Sequence, residues 1–140
     1  MTVSAGAPVP IGLQTFLAFD FGLKRTGVAT GNRLTRSASP QPTIVANNDQ
    51  RLDAVALRIK EWQPDALVVG VPFHPDGAPH ENTARAQKFA RQLRAKFLLN
   101  VFEVDERYST TEALSSGAKD ADAASACIIL EQFLRSLKDE

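Results

Sequence analysis

The sequence predicts an α/β fold, a mixed five-stranded sheet with three antiparallel strands followed by parallel strands, flanked by helices. Three observations predict it. Short apolar runs separated by turn residues fill the first third of the chain. A continuous apolar run, Ala66–Val71 (ALVVGV), stands near the middle. From Asn48 onward, stretches with helical spacing alternate with strand-like runs. Tight connections favour antiparallel neighbours. A strand apolar at every position is one buried on both faces, and alternation with helices implies a parallel half-sheet covered on both sides.

The elements follow in order. Thr15–Phe21 (TFLAFDF) reads as a buried strand and Gly22–Arg25 as a turn. Thr26–Thr30 (TGVAT) is a second strand, and a third lies within Ser37–Val45, where Pro40 and Pro42 mark an edge. A helix capped by Asn48 or Asp49 runs to Trp62, with Leu52, Val55, Ala56 and Ile59 as its apolar stripe. Gln63-Pro64-Asp65 ends it ahead of the ALVVGV strand. Pro72–Pro79 is a loop. A helix from Glu81 to Phe97 buries Ala86, Phe89, Ala90, Leu93 and Phe97, and Asn100–Val104 is the fifth strand. A short helix covers Thr110–Ser116. The last helix runs from Asp120 to Leu137 with Ala126, Ile129, Phe133 and Leu137 on one face.

The chain of 140 residues matches one domain and can bury a core without staples. Residues 1–12 are small, Pro-containing and uncharged and are expected to form a disordered leader; residues 13–140 form the domain. The leader lacks the basic and apolar regions of a secretory signal, and no run reaches the ~18 apolar residues of a membrane helix. A cytoplasmic protein is expected. One cysteine, Cys127, excludes an internal disulfide and a Cys-rich zinc site, and its apolar helix makes it a core residue. Trp62 reads as packing.

Sixteen basic and sixteen acidic side chains cancel, but they are not mixed evenly. Phe21–Asn48 holds Lys24, Arg25, Arg33 and Arg36 and no acid, and Glu81–Lys96 is also basic. Glu103–Asp122 is acidic. Basic surfaces around an acidic site suit a metal-dependent enzyme acting on a polyanion.

Three carboxylates stand out. Asp20 lies inside an apolar strand, where an ionised group must be paired, protonated or bound to a cation. A hydrogen bond to the Gly22–Arg25 turn would also satisfy it. Asp105 and Glu106 follow the fifth strand, at the carboxyl end where open α/β sheets gather their sites. Asp122 falls on the apolar stripe of the last helix, which faces it toward the sheet; a favourable charge at a helix N-terminus is the alternative. Carboxylates brought together repel unless a divalent ion joins them, and all-oxygen ligation selects Mg2+ or Mn2+. Such an ion activates water and neutralises charge on a phosphodiester.

Four segments, in order, resemble the motifs of the YqgF family: DFGLKRTGVA, VVGVPFHPDG, VDERYSTTEA and DADAASACIILEQFL. That family is described both as pre-16S rRNA nucleases and as Holliday-junction-resolvase-like proteins. The resemblance spans everything after the leader. It implies an RNase H-like three-layer α/β/α fold and a nuclease that matures the 5′ end of 16S rRNA in a ribosomal particle. Asp20 matches the acid of the first motif, Glu106 that of the D-E-R motif and Asp122 the acid that opens the last helix; these are the implied catalytic and metal-binding residues. Lys24, Arg25 and Arg107 match its basic positions and are the implied nucleic-acid contacts, with Lys119 a further one. The family's connection before the last helix is longer than Ser115–Asp120 here, so a loop suited to gripping nucleic acid is trimmed.

Two other functions compete with RNA cleavage. A DNA enzyme resolving branched junctions would be a homodimer, because two strands are cut symmetrically; an RNA enzyme can be a monomer or a dimer. A non-catalytic module binding nucleic acid or protein in ribosome assembly or transcription would tolerate loss of Asp20. His74, Asp76 and His80 in the loop after ALVVGV are either exposed turn residues or contacts at the site. Protein kinases, two-domain sugar-kinase-like ATPases and Walker A proteins are excluded by missing motifs and length.

Overall fold

The structure is a computed structural model that describes residues 9–74, 76–79, 81–106 and 121–137, apart from the side chains of Asn48 and Glu106. Five strands form one sheet: β1 (Thr15–Asp20), β2 (Arg25–Asn32), β3 (Ala38–Val45), β4 (Ala66–Pro72) and β5 (Asn100–Glu106). Among the described residues three helices accompany them: α1 (Asn48–Trp62), α2 (Thr83–Phe97) and α3 (Ala121–Ser136). The sheet order is β3-β2-β1-β4-β5. β1–β2 and β2–β3 pair antiparallel; β1–β4 and β4–β5 pair parallel. This is the mixed sheet that the turn spacing and the ALVVGV run predict. β3 lies at an edge, where Pro40 and Pro42 leave no missing donor inside the sheet.

Strand alternation divides the core into two layers. Phe16 and Ala18 of β1 join Ala66, Val68, Phe102 and Val104 against Ala126, Ile129, Leu130, Phe133 and Leu134 of α3. Leu17 and Phe19 turn the other way. They meet Leu67, Val69 and Val101 together with Val55 of α1 and Phe89, Ala90 and Leu93 of α2. Edge-to-face ring pairs anchor each layer: Phe16 with Phe133 at 5.1 Å and Phe19 with Phe89 at 5.9 Å between centroids. The result is the expected α/β/α arrangement.

Several boundaries differ from the sequence reading. The N-cap of α1 is Asn47, not Asn48 or Asp49; its extended backbone (φ −125°, ψ 163°) precedes the first helical residue. β1 stops at Asp20, and α2 starts at Thr83. β5 continues through Asp105 and Glu106, so both acids lie in the strand rather than after it, paired with Val71 and Pro72 of β4. Val9–Gly12 are not a free leader. Val9 packs on the α3-side core, and the buried Arg33 guanidinium donates to the carbonyls of Val9, Pro10 and Leu13. Trp62, read as packing, is 43% exposed at the end of α1. The expected helix at Thr110–Ser116 and the trimmed loop fall outside the described residues.

Candidate active site

β1 lies between β2 and β4, and its last residue is Asp20, at the carboxyl end of the parallel half of the sheet. Asp20 is paired across β2 with Gly27 and across β4 with Gly70. Both strand neighbours therefore lack a side chain beside the carboxylate. Asp20 is half-buried and follows Phe16 and Ala18 in the alternation that faces α3.

Gly27 explains how α3 reaches this point. A β-carbon added there would overlap the carbonyl oxygen of Asp122 and crowd the amide of Ala123. The first turn of α3 thus lies directly on β2 at the residue that faces Asp20. A glycine within a strand marks such a close backbone approach. Register and packing together bring Asp20 and Asp122 to the same end of the same sheet face. Asp122 is in the first helical turn, where the helix dipole favours a negative charge.

Arg25 opens β2, and its Nε donates to Asp122 Oδ2 at 2.6 Å. The preceding turn holds Lys24, exposed, whose carbonyl accepts from the amide of Ala46. The sequence assigned Arg25 to phosphate; in the structure one edge of its guanidinium already faces an acid of the site.

Position 106 is two residues beyond Val104, which is buried on the α3 side. At the end of β5, Asp105 pairs with Val71 and Glu106 with Pro72 of β4. Arg107 and Lys119 lie outside the described residues. Of the seven expected site residues, the structure gathers Asp20, Arg25 and Asp122, sets Lys24 in the adjoining turn, and fixes the backbone of Glu106 at the end of β5.

Carboxylate oxygens, as on Asp20 and Asp122, are the hard donors that Mg2+ and Mn2+ take. The donor chemistry fits such an ion. No three described His, Cys, Asp or Glu side chains form a complete ligand set by themselves.

Other candidates have structural duties. The Nη1 of Arg36 donates to the carbonyls of Leu134 and Leu137 at the end of α3. Arg33 holds the N-terminal segment, and Arg94 pairs with Glu103 at 3.0 Å. The basic stretch Phe21–Asn48 is thus less of a surface than its composition suggests. Asp76 accepts from the amide of Ala78 in a turn closed by His74 and Gly77, and His74 is exposed; His80 lies outside the described residues. Cys127 packs against the core, and burial together with nearby Glu131 pushes its thiol up to about 11. The sequence reading missed Gly27 and Gly70; the signal available was a glycine inside each strand run.

Comparison with known proteins places these features in context. The family profile described as "RuvX: Holliday junction resolvase" matches residues 14–136. A protein of Polaromonas sp. (strain JS666 / ATCC BAA-500) named "Putative pre-16S rRNA nuclease" is 77% identical over 137 residues, covering 98% of this chain and 99% of its own. One of the same name from Albidiferax ferrireducens is 72% identical, covering 92% and 83%. Among solved structures, Thermus thermophilus RuvC in complex with a Holliday junction substrate superposes with a TM-score of 0.53 at 15% identity, over 88% of this chain and 94% of RuvC. That likeness is one of fold.

Proposed function

This chain belongs to the RuvX family, the one whose YqgF motifs its sequence resembles, and on that premise we propose that it is a metal-dependent nuclease cleaving RNA phosphodiesters. Its proposed substrate is the 5′ end of precursor 16S rRNA in a ribosomal particle, and its setting the cytoplasm. The names of its relatives support the RNA assignment. The observation that carries the reading is the meeting of Asp20 and Asp122 at one end of one sheet face, fixed by the Asp20–Gly27 pairing and the seat of α3 on Gly27.

Asp20, Asp122 and Glu106 would hold Mg2+ or Mn2+. When bound, such an ion supplies charge neutralisation at the phosphodiester and a lowered pKa for water. Asp20 and Asp122 present oxygen donors at fixed positions, because β1 is hydrogen-bonded on both sides and α3 is packed on β2. Arg25 orients Asp122 through the hydrogen bond from its Nε to Oδ2. Lys24, Arg25, Arg107 and Lys119 would bind backbone phosphates, which positions a strand without reading its sequence.

The test is cleavage of a labelled precursor 16S 5′ leader in its particle, by wild type and Asp20→Asn, with Mg2+, with Mn2+ and with chelator. Metal-dependent cutting by wild type alone is expected. Equal cutting by both proteins would remove Asp20 from the site.

A second reading rests on the family's description as a Holliday junction resolvase. It requires a dimer cutting two strands of a four-way junction symmetrically. Junction cleavage by a sedimenting dimer, with the RNA left intact, would select it.

A further inference from the structure

On the face of the sheet opposite α3, a cleft of about 180 Å³ opens between α1, α2 and the turn that follows Asp20. Phe21, Leu23, Arg51, Arg85, Lys88 and Gln92 form most of its wall. Three of these are cations, and among the described residues no acid lines the cleft. Arg85 and Lys88 are exposed on α2, one turn apart along the same helix face. Leu23 is 54% exposed at the lip.

Arg51 sets this cleft apart from an ordinary basic surface. It is only 6% exposed. Its Nη2 donates to the carbonyls of Gly22, Leu23 and Ala46, tying α1 to the turn after β1. Its guanidinium lies 4.4 Å from the centre of the Phe21 ring and 5.9 Å from that of Phe89. Among the described residues its Nε is buried with no hydrogen-bond partner, and no carboxylate is paired with it. Burial lowers Arg51 from its ordinary value, as expected for a desolvated cation.

A buried charge with an unpaired donor is costly, and native proteins pair such groups. Carbonyl contacts alone would account for Arg51 as a brace for the turn. They do not account for a buried cation left without a counter-charge on the wall of a cleft that holds two further cations. A phosphate in the cleft supplies the missing negative charge to all three cations, and guanidinium groups match its geometry. The volume admits a phosphate and its flanking sugar atoms but is below that of typical drug-sized pockets. The exposed Leu23 and the Phe21 ring offer apolar surface to a ribose or base.

We infer that this cleft is a phosphate site, and that it holds a backbone phosphate of the nucleic-acid strand away from the point of cleavage. Phe21 follows Asp20 directly in the chain, so a strand leaving the carboxylates can pass over the turn onto α2. The identity of the strand rests on the nuclease reading; the anion site itself does not.

Binding of a labelled single-stranded RNA to the full chain, in chelator to prevent cutting, tests the inference. The Arg85→Ala/Lys88→Ala double variant is compared with Arg91→Ala/Lys96→Ala, which removes the same charge from α2 at exposed positions off the cleft. The cleft pair is expected to weaken binding about tenfold and to flatten the slope of log Kd against log salt by roughly one to two, with a smaller effect from the control pair. A titration with inorganic phosphate, followed by the side-chain Nε–H NMR resonance of Arg51, reads the site without RNA. That resonance is expected to shift in wild type and not in the cleft variant. Equal effects of the two pairs on RNA, with the Arg51 shift intact, would overturn the strand assignment in favour of a free anion. No shift of Arg51 would overturn the site. A protein that cuts nothing yet meets both expectations would sink the nuclease reading and leave this one standing.

Discussion

Arg25 and Asp122 are 97 positions apart in the chain, yet Arg25 Nε and Asp122 Oδ2 stand 2.6 Å apart. The pair ties the start of β2 to the first turn of α3 beside Asp20. Its side chains are 53% and 35% exposed, so water screens it and its share of stability is below about 1 kcal/mol. Its expected weight is on geometry. Arg25→Ala should leave the urea midpoint nearly unchanged while slowing single-turnover cleavage at least about tenfold, since small misplacements of reacting groups are costly. Arg25→Lys keeps the charge but loses the planar donor, and should recover only part of the rate. A variant that unfolds early but cuts normally would show that the pair is merely structural.

Gly27 makes a complementary prediction. The atoms that an added β-carbon would strike are backbone atoms of Asp122 and Ala123, which cannot swing aside. Gly27→Ala should lift the start of α3 from β2, at a cost of about 1–3 kcal/mol. Urea denaturation measures that cost. Hydrogen exchange should speed up at the first turn of α3 before it does in β4, and cleavage should fall with it. Unchanged protection in α3 would contradict the seat on Gly27.

Metal dependence should separate from folding. Both apolar layers are built from side chains alone, so chelator should abolish cutting and still leave a cooperative unfolding transition at the ion-free midpoint. Added Mg2+ or Mn2+ should raise the midpoint, because a ligand of the native state at about 100 times its Kd stabilises by about 2.7 kcal/mol. Asp20→Asn and Asp122→Asn should each lose that rise. A rise that survives in both variants would move the ion elsewhere.

Arg36 looks in sequence like part of a nucleic-acid surface; the structure gives it other work. Its Nη1 accounts for two carbonyls at the end of α3, from a left-handed backbone with φ 53°. Arg36→Ala should therefore cost about 1–3 kcal/mol in denaturation and leave the salt slope of RNA binding unchanged. A lost increment of salt slope at unchanged stability would restore the surface reading.

That contrast shows where the sequence was legible. The two-layer pattern of β1, the apolar run of β4 and the stripe of α3 are periodic, so they announce themselves locally. Asp20 and Asp122 stand out because each interrupts such a pattern. Contacts set by long-range packing leave weaker traces: Arg33 and Arg36 find carbonyls across the fold, Arg51 finds a ring and a turn, and Gly27 finds the end of a helix. A strand also continues for reasons of pairing, which is why Asp105 and Glu106 belong to β5 although their polarity suggests a loop.

The acid limb of stability should depend on Asp65. Its Oδ2 accepts from the amides of Gln14 at 2.8 Å and Thr15 at 3.1 Å, joining the entry of β4 to that of β1. Those bonds favour the ionised form and hold its carboxyl below the usual value of 3.8. A carboxyl depressed by folding adds stability above its unfolded pKa and loses it as pH falls through the folded one. Asp65→Asn should therefore be less stable than wild type at neutral pH, and the gap should close as pH drops below about 4. Urea midpoints for both proteins between about pH 2 and pH 7 would show it. A gap of constant size would mean that the carboxylate's charge has no part in joining β1 to β4.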